Sequence, residues 1–118
     1  MKTDVTKYKE YYGEVFGKIV NTPSPSGYYK EIMPLIKTLA EENGAEFTLT
    51  HKGCAILTDK GKSEEALGLS AHADTLGAMI RGLHPDGELT FTKVGGPCLP
   101  TLDGEYCKII TRDGKRYT

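Results

Sequence analysis

Apolar residues at Val5, Tyr8, Tyr12, Val15, Phe16, Ile19 and Val20 recur every three to four positions, the spacing of one helical face. They predict an amphipathic helix from Asp4 to Val20, with Asp4 or Thr3 placed to cap its first turn and Tyr8, Tyr11 and Tyr12 packing it onto a core. The helix must stop in Pro23-Ser24-Pro25-Ser26-Gly27, where two prolines and a glycine remove donors and helical dihedrals. A second helical pattern runs from near Ser26 to Asn43, burying Ile32, Leu35, Ile36, Leu39 and Ala40, with Gly44 as the left-handed residue past its end. Pro34 lies inside that pattern, so the helix is either kinked near its second turn or regular only from about Met33.

After Gly44 the period changes to two. Glu46 to His51 alternates polar and apolar and Cys54 to Thr58 resumes after Lys52-Gly53, which predicts a β-hairpin. Ala66-Leu67-Gly68-Leu69-Ser70-Ala71 carries no charge and reads as a strand covered on both faces of an α/β sheet. Beyond Gly77 the pattern becomes all β. Strands are predicted at Ala78 to Leu83, Glu88 to Val94 and Glu105 to Thr111, with turns at His84-Pro85-Asp86-Gly87 and Arg112-Asp113-Gly114-Lys115. The loss of helices from the second half places a domain boundary near Gly77, dividing the chain into 1–77 and 78–118.

Composition narrows the class. Leu, Ile, Val and Phe make up 25 of 118 residues, enough for a globular chain rather than a disordered one. A formal net charge of -1, with basic residues scattered among acids, supplies no field for a phosphate backbone or an anionic lipid surface. No nucleic-acid or membrane partner is therefore expected. The first seven residues hold no apolar stretch, which reads as a cytoplasmic protein. Cys54, Cys98 and Cys107 form an odd set without a Cys-x-x-Cys pair, so neither a disulfide framework nor a thiolate zinc site follows, and they read as reduced, mostly buried small hydrophobes.

The clearest chemical signal is His72-x-Asp74 at the carboxyl end of the predicted 66–71 strand, where ligands bind in open α/β sheets. Residues i and i+2 of a strand share a face, so imidazole and carboxylate would enter one cleft. A metal-bound histidine commonly gives its other ring N–H to such a carboxylate. The same spacing recurs at His84-Pro85-Asp86, where Pro-Asp-Gly is ordinary turn chemistry and the two side chains read as solvated tip residues. Spacing alone leaves His72 and Asp74 balanced between a site and a structural pair. Ser24 and Ser26 lack the strand-to-helix elbow of a hydrolase nucleophile and read as loop and helix-cap residues. His51 reads as an exposed or half-buried hairpin residue. Gly95-Gly96 precedes Pro97 instead of a helix start and makes no phosphate loop.

The order of these features resembles the cytosolic dinuclear-metal aminopeptidases of the glutamyl and deblocking type, some of which form tetrahedral particles and several of which carry endoglucanase labels. The resemblance rests on the initial helix, Pro23 to Tyr28, the helix ending at Gly44, the strand pair around Gly53 and, above all, Ala71-His72-Ala73-Asp74-Thr75-Leu76-Gly77-Ala78-Met79-Ile80. Asp86 to Phe91, Val94-Gly95-Gly96 and the strand from Glu105 resemble the start of that family's inserted β-rich dimerisation domain. The resemblance implies an α/β catalytic domain, incomplete over 1–77, followed by the beginning of an all-β dimerisation domain over 78–118. It also implies His72 as ligand to one of two zinc or cobalt ions, Asp74 as the catalytic carboxylate that orients it, peptide substrates, and homo-oligomers built from dimers, up to a dodecamer.

The family's remaining ligands and its glutamate base arise beyond a point equivalent to Thr118, so the isolated chain is expected to bind metal weakly or not at all and to lack peptidase activity. Where family members commonly have Gly-Asn, this chain has Gly53-Cys54. Two other classes remain: a non-catalytic oligomerisation or binding module, and a glycoside hydrolase, which needs two carboxylates across a cleft and finds no such pair here. Thr118 falls just after the Asp113-Gly114 turn, inside an expected hairpin, so the chain is read as parts of two domains, expected either to be unstable alone or to bury its open faces against another copy.

Overall fold

A computed structural model describes residues 4–118, and the expected Thr3 cap lies outside them. The Asp4 carboxylate accepts from the Thr6 amide at 3.0 Å and the Thr6 hydroxyl at 2.5 Å, which starts the first helix as a 3₁₀ turn, Val5–Tyr8. Regular helix follows as α1, Lys9–Val20. At its end Asn21 Nδ2 donates to the Gly17 carbonyl (2.8 Å), which also accepts the Asn21 backbone N–H (3.2 Å), and Thr22 Oγ1 donates to the carbonyl of Lys18 (2.7 Å) in the last turn. The tyrosines do not enter a core as expected. Tyr8, Tyr11, Tyr12 and Phe16 are all exposed, and no residue of α1 is buried, because no described element covers its apolar face. A hydrogen bond from Asn43 Nδ2 to the Tyr11 hydroxyl, 2.9 Å, ties α1 to the end of the next helix.

That helix, α2, is Ile32–Glu42, so it starts about one and a half turns later than the pattern from Ser26 predicts. The alternatives posed by Pro34 resolve in favour of a late start. Pro34 is its third residue, in the first turn, where a missing N–H costs no helical bond. Residues 26 to 31 turn instead, with Tyr28 N–H donating to the Pro25 carbonyl at 2.8 Å. Ile32 and Ala40, eight residues apart on one face, are the buried hydrophobic residues among those described. The helix ends as expected at Gly44, φ 75°. Its N–H reaches the Glu41 carbonyl (3.1 Å) while Ala45 N–H reaches that of Ala40 (2.9 Å), the paired bonds of a Schellman ending.

The first hairpin is present as β1, Glu46–Leu49, antiparallel to β2, Ala55–Thr58, with Phe47 opposite Leu57 and Thr48 opposite Ile56. Its turn uses Gly53 at φ 78°, and the Tyr29 ring packs so close that a Cβ there would lie 2.5 Å from Tyr29 Cδ1. Strands β3, Gly77–Leu83, and β4, Leu89–Val94, also pair as predicted, across the His84–Gly87 turn and with an irregularity in register between Ile80 and Gly82. The strand expected over Glu105 to Thr111 is reduced to β5, Ile109–Ile110, paired with β6, Arg116–Tyr117. Arg116 reaches back to Glu31 Oε2 at 2.8 Å, while the Tyr28 hydroxyl donates to Glu31 Oε1 at 2.9 Å.

One expectation fails clearly. Residues 66–71 form no strand, and Leu67 and Leu69 are 88% and 91% exposed. A strand buried on both faces needs neighbouring strands and covering helices, and the described residues supply neither. Among the described residues the fold is thus mixed helix and sheet, with three separate two-stranded antiparallel sheets. No described helix is long and apolar enough to cross a membrane.

Little of the chain is interior. The accessible surface is 10546 Å², against about 6300 Å² for a compact chain of this mass. The radius of gyration is 18.4 Å, where a compact domain of this length has about 13 Å. Small-angle scattering extrapolated to zero concentration is expected to return a radius near 18.4 Å; a value close to 13 Å would show that the apolar faces close on one another.

Candidate functional site

The segment carrying His72 and Asp74 is held by the proline-rich loop instead of by a sheet. Thr75 N–H donates to the Ser24 carbonyl at 2.9 Å, and Pro25 and Thr75 form an isolated parallel bridge. The Ser24 hydroxyl, buried to 1% exposure, donates to the Ala73 carbonyl at 2.8 Å. Pro25, with φ fixed by its ring, packs against the start of β3, where a Cβ on Gly77 would lie 2.6 Å from Pro25 Cβ. Only glycine admits this approach, so the loop and the first residue of β3 close as one seam.

Asp74 sits at the centre of that seam's polar edge. Its Oδ2 accepts from the Ser26 hydroxyl at 2.5 Å, and its Oδ1 lies 3.2 Å from His72 Nδ1. His72 Nδ1 is also 3.2 Å from the Asp74 backbone carbonyl. Both neighbours of Nδ1 are acceptors, so the tautomer protonated on Nδ1 satisfies the geometry and leaves Nε2 with the lone pair. The Ser26 hydrogen bond is the main cause that holds the Asp74 carboxyl below the usual carboxylate range; desolvation opposes it, and the attraction and hydrogen bond of His72 add to the lowering. Both side chains remain accessible, His72 at 85% and Asp74 at 52%.

Sequence spacing thus identified a pair that does meet, although the supporting strand is absent. Ser26 is the residue that sequence reasoning passed over. It stands 48 positions from Asp74, and the Pro-Ser-Pro-Ser-Gly run marks a rigid loop without naming its partner. It is not a helix cap, since α2 begins six residues later. The control pair behaves as turn residues should: Asp86 Oδ1 accepts from Glu88 N–H at 3.0 Å, and His84 closes the same turn through its backbone. His51 lies exposed on its hairpin turn.

The cysteines require a correction. Cys54, Cys98 and Cys107 are all exposed free thiols, since the turn and loop segments that carry them are not covered by any described element. Among the described residues no group of three or more His, Cys, Asp and Glu side chains could hold a metal ion. A cavity of about 390 Å³ between α2 and β1, lined by Tyr29, Met33, Pro34, Phe47 and Leu49, lies away from His72 and Asp74.

Comparison with known proteins gives this arrangement a setting. Residues 53–118 match the family model described as M42 glutamyl aminopeptidase. Over 106 residues the chain is 39% identical to YhfE of Bacillus subtilis (strain 168), whose name proposes an aminopeptidase; the match covers 89% of this chain and 31% of that protein. Over 105 residues it is 29% identical to the lysyl aminopeptidase of Pyrococcus furiosus, covering 88% of this chain and 30% of that one. The chain therefore spans about a third of the length of the curated relatives it matches.

Two outcomes test the geometry. Ser24→Ala leaves the Ala73 carbonyl without its partner and is expected to weaken the seam by about 1–3 kcal/mol, read as faster hydrogen exchange of the Thr75 amide. Unchanged exchange would show that the hydroxyl is dispensable. For Asp74, a folded-state pKa below the unfolded value means stability that is present above about 3.9 and is lost as pH falls through the lower folded value. The carboxyl carbon of Asp74, followed by NMR, is expected to titrate below that of aspartate in an unstructured peptide.

Proposed function

This chain belongs to the M42 glutamyl aminopeptidase family, and from that premise we propose that it supplies the first metal ligand, with its orienting carboxylate, of a metal-dependent aminopeptidase. The observation that carries the reading is the division of labour on the His72 ring, with Nδ1 turned to Asp74 and Nε2 left as the basic nitrogen. A carboxylate in that position fixes the tautomer and raises the basicity of the other nitrogen, which is what a divalent ion requires of a histidine ligand.

The donor chemistry fits one ligand position and not a whole site. Catalytic zinc takes three protein ligands and a water, and a two-metal site needs in addition a bridging group. His72 and Asp74 offer two donors at most, and the described residues add no third. When bound, two zinc or cobalt ions would supply polarisation of the peptide carbonyl and an activated water. The part of this chain is to orient His72 and to hold its proton on Nδ1. In this reading residues 1–77 belong to the catalytic domain and 78–118 open an inserted β domain, peptides are the substrates, and the assembled protein is a homo-oligomer.

A non-catalytic reading has its own support. The excess accessible surface and the exposed aromatic residues of α1 suit a module that works by covering those faces against another copy. A chimera in which this chain replaces the matching third of YhfE separates the two readings. It is expected to release amino-terminal residues from peptides only with zinc or cobalt, and to lose about 100-fold or more of that activity on His72→Ala. The 118-residue chain alone is expected to show none. An active chimera indifferent to His72→Ala would remove the ligand role, and metal-dependent hydrolysis by the chain alone would overturn the divided site.

A further inference from the structure

The hydrogen bond between Ser26 and Asp74 joins two segments 48 residues apart and falls on the oxygen that does not face His72. That placement is informative. The terminal torsion of an aspartate is broad and roughly two-fold, so a half-exposed carboxylate beside water has no intrinsic reason to keep one oxygen on an imidazole. A hydroxyl donating to the far oxygen removes that freedom. Its O–H···O⁻ contact is charge-assisted, among the stronger hydrogen bonds available to a side chain.

Ser26 is itself held in register. Pro25 precedes it in the bridge to Thr75, Gly27 follows at φ 89°, and the Tyr28 amide closes a turn onto the Pro25 carbonyl at 2.8 Å. The seam that fixes the backbone depends on Ser24, through the Ser24 hydroxyl and carbonyl, while the Ser26 side chain is directed to Asp74 alone. The two serines, two residues apart on one loop, therefore have separable tasks.

We propose that Ser26 is a positioning residue for His72, acting through Asp74: by pinning Oδ2 it keeps Oδ1 on Nδ1 and so fixes the imidazole tautomer that exposes the Nε2 lone pair. The inference rests on the function proposed above only for the use to which that lone pair is put, since the chain of contacts from Ser26 to His72 is complete without metal or substrate.

The test is made on the metal-free 118-residue chain carrying ¹⁵N-labelled histidine, near pH ~9 so that imidazole side chains are neutral. His72 is assigned with the help of His51→Gln and His84→Gln variants. The unsubstituted chain is expected to hold His72 chiefly in the Nδ1–H form. Ser26→Ala is expected to lower the ratio of Nδ1–H to Nε2–H several-fold, toward that of histidine in an unstructured peptide, and Ser26→Thr to restore it. Thr75 amide protection is expected to survive both changes.

A ratio unmoved by Ser26→Ala would overturn the proposal, as would loss of Thr75 protection in that variant, which would make Ser26 part of the seam itself. Because no catalysis is measured, an inactive chimera would sink the aminopeptidase reading and leave this result standing, while an unchanged tautomer would do the reverse.

Discussion

The contact on which the site depends is the short seam between the loop at 23–27 and the strand-like segment at 73–75. One backbone hydrogen bond, Thr75 N–H to Ser24, and one buried side-chain bond, Ser24 to Ala73, bring together residues about 50 positions apart. The polar contacts of the His72 side chain are to Asp74, and the residues before the seam, 66–71, lie in solvent. Without the seam Asp74 would have only its sequence neighbour His72 for company. With it, a local i to i+2 pair acquires a third member and a defined orientation. Proline makes this economical, since a ring-fixed backbone loses less entropy when it docks.

How much of this could be read from residue order follows the range of the forces involved. Both helices, the Gly44 ending and all three hairpins arise from interactions within a few residues, and their patterns were legible, although the third keeps only two residues in each strand. Pro34 posed a choice that sequence left open and the first-turn geometry closed. Burial was another matter. Ala66 to Ala71 has the composition of a central strand, yet composition states what a segment needs and not whether neighbours exist to provide it. The same reasoning covers the tyrosines of α1 and the three thiols, which were expected inside and lie outside. Ser26 was invisible for a third reason: a hydroxyl has no period and no partner code, so only the folded loop reveals it.

Kinship and geometry constrain different things. The match to the M42 glutamyl aminopeptidases covers residues 53–118 and thereby His72 and Asp74, but it does not reach the loop that holds them. The alignment with YhfE extends over 89% of the chain. Geometry adds what alignment lacks, namely which nitrogen of His72 faces acceptors and which is left free of them.

The three separate hairpins carry one more implication. With every sheet only two strands wide, each of the six strands is an edge strand, presenting unpaired amides and carbonyls beside exposed Ile56, Leu57, Ile80 and Phe91. Such edges are templates for strand addition by other chains, and a net charge of -1 offers little electrostatic repulsion to keep molecules apart. The hairpins thus leave their outer amides and carbonyls open to a further strand, so the sheets end at their own width and not at a closed boundary.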